Sequence, residues 1–220
     1  MTALRHRFIG EICGFGTAEG HRFAIGNWTD TPYGPFADVM HETRSGHRTL
    51  FAPDERIATF VATTYNFDEV RLAPISAERS QHHLCITTSN FSAEITIGGR
   101  TKLGRLLRAI PDRLATAPAW CTVIDPLARL AVRGVRTRGS AGNGRREWYG
   151  VTDQHAVSAV SCVLDGQPLG ELADVWPPVN FGFSSTPRTP AIVSVTTTID
   201  EGHRRAEVAA IALPPPADAG

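Results

Sequence analysis

The feature that most limits what this chain can become is its punctuation: short runs of β-forming residues, cut every few positions by glycine or proline. Ser194-Val195-Thr196-Thr197-Thr198-Ile199 is almost purely β-branched, a composition whose restricted χ1 suits a pleated surface better than a helix. Arg7–Cys13, His21–Trp28, Phe36–Glu42, Glu69–Ile75, His82–Thr88 and Phe91–Ile97 are further turn-bounded runs. So are Gly134–Gly139, Arg146–Val151, Ala156–Leu164 and Ala191–Ile199. With 20 glycines and 15 prolines in 220 residues, many short strands joined by tight turns are expected. The fold class is therefore mainly antiparallel β (α+β): one barrel-like or two-sheet domain over 1–213, with two or three short helices.

Helical patterning is local. Pro53-Asp54-Glu55 starts a helix whose apolar face is Ile57, Phe60, Val61 and Tyr65. A second starts near Thr101, with Leu103, Leu106, Leu107, Ile110 and Leu114 at helical spacing and Pro111 breaking or kinking it. Asp125-Pro126 reads as the N-cap and first residue of a third, ending near Gly134. Gly142-Asn143-Gly144 predicts a hairpin, because Asn-Gly tolerates positive φ. The segment 214–220 reads as a disordered tail. Gly46-His47-Arg48-Thr49 and Gly98-Gly99-Arg100-Thr101 each follow a strand and precede a helix, which suggests two duplicated strand-turn-helix-strand units over about 20–75 and 76–164.

Charge is uneven along a neutral chain. From Gly99 to Gly150 eleven basic residues face three acids, a balance of +8, so the remainder carries −8. Lys102 is the sole lysine, and a GC-rich genome explains the arginine excess more simply than bidentate recognition does. Arg138, Arg145, Arg146, Trp148, Lys102 and Arg105 are the candidate ligand-binding residues, with the 138–146 hairpin a candidate anion nest. The plainer reading is a solvated basic face and a plain hairpin tip. Nucleic acid is disfavoured by zero net charge. The four cysteines lack metal spacing and sit among apolar neighbours, as structural thiols do. No metal and no cofactor is expected. Neither a signal peptide nor a transmembrane span is legible, so the expected compartment is the cytoplasm.

Candidate chemistry concentrates at Tyr149, Asp153 and His155. Strict alternation would place all three on one strand face as an acid–base set; a turn within Val151–Gln154 would break that alignment. Asp38, His41 and Glu42 form a weaker candidate group, and His82-His83 another, although adjacent strand histidines face opposite sides.

Three stretches, Gly26–Met40 (GNWTDTPYGPFADVM), Gly142–His155 (GNGRREWYGVTDQH) and Val179–Pro187 (VNFGFSSTP), resemble an uncharacterised actinobacterial protein family with no assigned activity. Tyr33-Gly-Pro-Phe36 and Lys102-Leu-Gly104 resemble fragments of the acetoacetate decarboxylase family, which would imply a Schiff-base amine at Lys102; that family's paired lysines and acidic helpers are missing here. The leading expectation is a binder of a small amphipathic or anionic, lipid-like ligand. The alternatives are a cofactor-free lyase, isomerase or hydrolase, and an interaction protein docking an acidic partner through its basic face.

Overall fold

A computed structural model describes residues 5–132 and 134–201; the expected tail at 214–220 lies outside them. The strands are β1 (Arg5–Thr17), β2 (Arg22–Asp30), β3 (Phe36–Glu42), β4 (Arg48–Ala52), β5 (Glu69–Leu72), β6 (Ser76–Arg79), β7 (His83–Thr87) and β8 (Phe91–Arg100). After them come β9 (Arg138–Ser140), β10 (Arg146–Leu164), β11 (Gln167–Pro168), β12 (Leu172–Ala173) and β13 (Ala191–Asp200). Helices α1 (Glu55–Thr64), α2 (Lys102–Leu107), α3 (Asp112–Ala115) and α4 (Pro118–Ala131) complete the chain. All the strands join one curled sheet of order β5-β4-β3-β2-β1-β13-β10-β8-β7-β6, with β9, β11 and β12 attached at its side. Only β4–β5 is parallel, because α1 carries the chain across between them.

The side-chain period of two gives the central strands two distinct faces. On one, Cys13 and Phe15 of β1, Phe23 and Ile25 of β2, and Val39 of β3 pack against Leu84, Ile86, Phe91 and Ile95 from the far flank. The sheet must curl for its two flanks to meet in this way. The other face presents Phe8, Ile12, Ala24, Trp28, Asp38, Val193 and Val195 to the helices. This second face carries the site.

Three sequence expectations change in detail. Helix α4 starts at Pro118, seven residues before the expected cap, and Pro126 lies inside it. Asp125 does not cap the helix; it reaches sideways, accepting from the Thr137 amide at 2.9 Å and pairing with Arg129. The runs at 146–151 and 156–164 are one strand, β10, whose register with its neighbours slips at several points. The two Gly-x-Arg-Thr segments are not equivalent either: Arg48 opens β4 ahead of α1, whereas Thr101 caps α2 directly, its hydroxyl accepting from the Gly104 amide at 2.9 Å.

Other expectations hold. Asp54 caps α1, accepting from the Ile57 amide at 2.8 Å. Pro111 separates α2 from α3. Asn143 and Gly144 have φ of 59° and 72° at the tip of the β9–β10 hairpin. All four thiols are unpaired, and burial pushes those of Cys121 and Cys162 up to about 11, so they remain protonated. Among the described residues no helix is long and apolar enough to cross a membrane.

Candidate functional site

Between the second face of the sheet and the helices lies a chamber of about 430 Å³. Strand register defines its floor. Asp38 pairs with Gly26, Gly26 with Ile12, Ile12 with Val193, and Val193 with Gln154. Two rows further along the strands, Phe8, Thr197 and Tyr149 are adjacent. Leu103, Leu106, Leu107 and Ile110 from the α2 region close one side, and Trp120, Ile124 and Leu127 of α4 another. The remaining wall is the segment 175–187, whose Val175, Val179 and Phe181 pack on Ala24, Met40 and Tyr65. It is latched from below. Glu42 accepts from the Asn180 amide at 2.8 Å while its other oxygen pairs with Arg22 at 3.1 Å, and Arg22 also donates to the Pro177 carbonyl at 3.1 Å.

Few polar groups enter this apolar space. Asp38 is 2% exposed, and its Oδ1 accepts from Trp28 Nε1 at 2.8 Å. Burial drives its pKa up to about 7, against the indole hydrogen bond that favours the charged form. A glycine makes that bond feasible: a Cβ on Gly26 would lie 2.4 Å from both Asp38 Oδ1 and Trp28 Nε1. The Tyr65 hydroxyl donates to Glu147 Oε1 at 2.5 Å and lies 2.9 Å from the Tyr149 hydroxyl. Glu147 is fully buried, which raises its pKa to about 7, and its Oε2 has no hydrogen-bond partner. Burial, first of all, pushes both phenols well above their ordinary pKa, so they stay protonated. The Thr186 and Thr197 hydroxyls, both in the lining, are also buried without partners among the described residues.

Tyr149 is the member of the expected acid–base set that reaches this chamber. Between Val151 and Asp153 the β10–β13 register slips by one residue, so the inward sequence runs Tyr149, Val151, Gln154. Asp153 and His155 do lie together, 3.6 Å apart, but outside the chamber lining. Arg100 engages Asp153 at 2.8 Å and, against the cost of partial burial, keeps its carboxyl below the usual range. The structure therefore does not bring the three side chains together. Within the weaker group, Asp38 faces the chamber, whereas His41 stacks on Phe23 on the opposite face, 2.7 Å from His21.

The basic candidates disperse. Arg145 is spent on α1, donating to Thr64 Oγ1 at 2.7 Å and lying over the Phe60 ring. Arg146 reaches Asp200 at 3.5 Å and covers Trp148, which itself donates to Thr122. Arg138, Lys102 and Arg105 are exposed and are not part of the chamber lining. With the sole lysine outside, no lysine amine faces the chamber to form a Schiff base. Arg136, not singled out from sequence, is the one arginine in the lining among the described residues. Among the described residues no cluster of His, Cys, Asp or Glu could hold a metal ion.

The fold and the chamber together define a curled antiparallel sheet with a mostly apolar cavity on its helix-covered face. No protein-family model and no curated protein matches the sequence. Among solved structures, the chain is similar to acetoacetate decarboxylase from Legionella pneumophila subsp. pneumophila str. Philadelphia 1, with 11% identity, a TM-score of 0.45 and coverage of 90% of this chain and 85% of that one. It is also similar to a second acetoacetate decarboxylase structure, with 9% identity, a TM-score of 0.40 and coverage of 89% and 84%.

Proposed function

We propose that this protein binds a small amphipathic molecule in the chamber under α2 and α4. The observation that carries the reading is a volume of about 430 Å³, within the usual range of small-molecule sites, lined by apolar side chains with Asp38 buried among them. Buried polar groups normally find hydrogen-bond partners, and the orphan hydroxyls of Thr186 and Thr197 supply contacts that a ligand's polar end could complete. Of the amphipathic and anionic ligands expected from sequence, the first is favoured, since the candidate anion-binding residues Arg138, Arg145 and Arg146 are not in the lining.

Titrating the full chain with 8-bromo-octan-1-ol tests this, because bromine quenches the fluorescence of nearby indoles and Trp28 and Trp120 line the chamber. Saturable quenching is expected, and it should be lost when Ala24→Phe and Val193→Phe together fill the floor. Linear, non-saturating quenching in both proteins would refute the reading.

The second reading is a cofactor-free lyase, isomerase or hydrolase. It is favoured by one observation: the Tyr149 phenol, in the chamber lining, is joined through Tyr65 to a buried carboxyl at Glu147 whose pKa is shifted towards neutrality. On this reading Tyr149 and Glu147 carry the proton chemistry expected of Tyr149, Asp153 and His155.

A further inference from the structure

We propose that the polar end of the chamber's ligand is a cation, an amine on an apolar body, seated against the Asp38 carboxylate; this deepens the reading of the chamber as a ligand site and rests on it. Three independent features of the lining converge on that chemistry.

The first is charge. Among the described residues Asp38 is the sole acid in the lining, and the one cationic side chain there, Arg136, is exposed to solvent. A carboxylate held among apolar groups with a single neutral donor is poorly compensated, and an ammonium beside it would supply the missing countercharge where water does not screen it. A carboxylate ligand would meet the same group as a like charge.

The second is aromatic. Trp28, which holds Asp38, packs edge-on against Phe8 with ring centroids 5.9 Å apart, and Phe8 meets Phe36 at 6.4 Å and Phe60 at 5.1 Å. All four rings line the chamber, and since Phe60 already carries the Arg145 guanidinium and stacks on Phe8, a ligand's cation would meet Trp28, Phe8 and Phe36. The electron-rich faces of such rings attract cations, which is how aromatic cages hold ammonium groups, and they offer nothing comparable to a neutral alcohol.

The third is hydrogen-bonding capacity. An alkylammonium has three N–H donors and no acceptor. Asp38 can accept from it, while the orphan hydroxyls of Thr186 and Thr197 sit elsewhere in the lining, over Gly14 and opposite Phe8. An alcohol brings a single donor to Asp38, and a carboxylate brings none.

The experiment compares octylamine, octan-1-ol and octanoate by calorimetric titration into the full chain, alongside Asp38→Asn and Thr197→Val. Octylamine should bind at least tenfold more tightly than octan-1-ol, with octanoate weakest. Asp38→Asn should collapse the amine-to-alcohol ratio towards one, and Thr197→Val, away from Asp38 in the lining, should change it little. Circular dichroism of both variants confirms that they fold. Equal affinity for amine and alcohol, tightest binding of octanoate, or an amine preference that survives Asp38→Asn would overturn the cation while leaving the chamber as a ligand site. Binding of none of the three would remove both readings.

Discussion

Asp38 shows how much one residue's surroundings decide. Its folded pKa of about 7 lies above the ordinary 3.8, so between those limits the folded protein holds a proton that the unfolded chain has released. Stability from this group is therefore fully present below pH 4 and falls as pH rises through 7. Glu147, raised from 4.5 to about 7 by burial, acts in the same direction. Asp38→Asn keeps an acceptor for Trp28 and removes the titration. It should raise the melting temperature at pH 8, where the charged form costs on the order of a few kcal/mol, and change it little at pH 4, near the ordinary pKa of the unfolded carboxyl. Melting curves at the two pH values check this; an equal shift at both would mean that the carboxyl is not the titrating group. Gly26→Ala probes the same contact sterically. Its Cβ would force the Trp28–Asp38 pair apart, for a loss of about 1–3 kcal/mol in urea unfolding. From sequence, Asp38 could be grouped with His41 and Glu42 only by proximity along the chain. Which of them shares a cavity depends on the sheet's faces: His41 takes the opposite one, and Glu42, on the face of Asp38, is spent on Arg22 and the Asn180 amide.

At the scale of elements, the strands were the legible part, because β-branched runs bounded by glycine and proline encode them locally. Phe36–Glu42 comes out with the bounds expected, and the Asn143-Gly144 hairpin forms through positive φ as its composition requires. What local reading missed was register. The slip between Val151 and Asp153 falls where the sequence ends one run and allows a turn, and only the pairing with β13 reveals that the strand continues, turning Gln154 inward and leaving Asp153 outside. Helix α4 posed a similar difficulty, since Pro118 and Asp125-Pro126 are both chemically sound starts. Tertiary bonds decide between them. Asp125 is needed against the 137–138 backbone, where it accepts from the amides of Thr137 at 2.9 Å and Arg138 at 3.3 Å. These bonds and Arg129 outweigh the cost of its burial and hold its carboxyl below the ordinary range. Asp125→Ala should therefore detach α4 from β9 and cost about 2–4 kcal/mol, since it orphans buried amides. Asp125→Asn, which keeps one acceptor, should cost less than half as much, as measured by chemical denaturation. Equal losses in the two variants would place the value of Asp125 in its charge instead.

The whole molecule turns on how one sheet serves two cores. The face shared by both flanks is closed mainly by strands, through Phe15, Phe23, Phe51 and Phe91, and its share on the runs His21–Trp28 and Phe91–Ile97 was readable from sequence. The other face is closed by α1, α2, α4 and the 175–187 segment, elements brought together only by folding, which is why the chamber was not. The latch on that segment is a buried ion pair: the Arg22 side chain is 3% exposed and the Glu42 side chain 8%. Removing one partner of such a pair leaves the other charged and desolvated, a loss of roughly 3–5 kcal/mol. Glu42→Ala should show that loss and, in addition, a local one. The Asn180 amide loses its acceptor, and Arg22 loses the carboxylate that steadies its bond to Pro177. Hydrogen exchange should then accelerate across 175–187 well before the central β1–β13–β10 strands, because the wall opens without unfolding the sheet. Glu42→Gln, which keeps an amide oxygen for Asn180, should protect the segment partly while still unpairing Arg22. If exchange in Glu42→Ala instead rises uniformly over the wall and the central strands, the segment is held by Phe181 and its apolar contacts, and the ion pair stabilises the fold as a whole without latching the chamber.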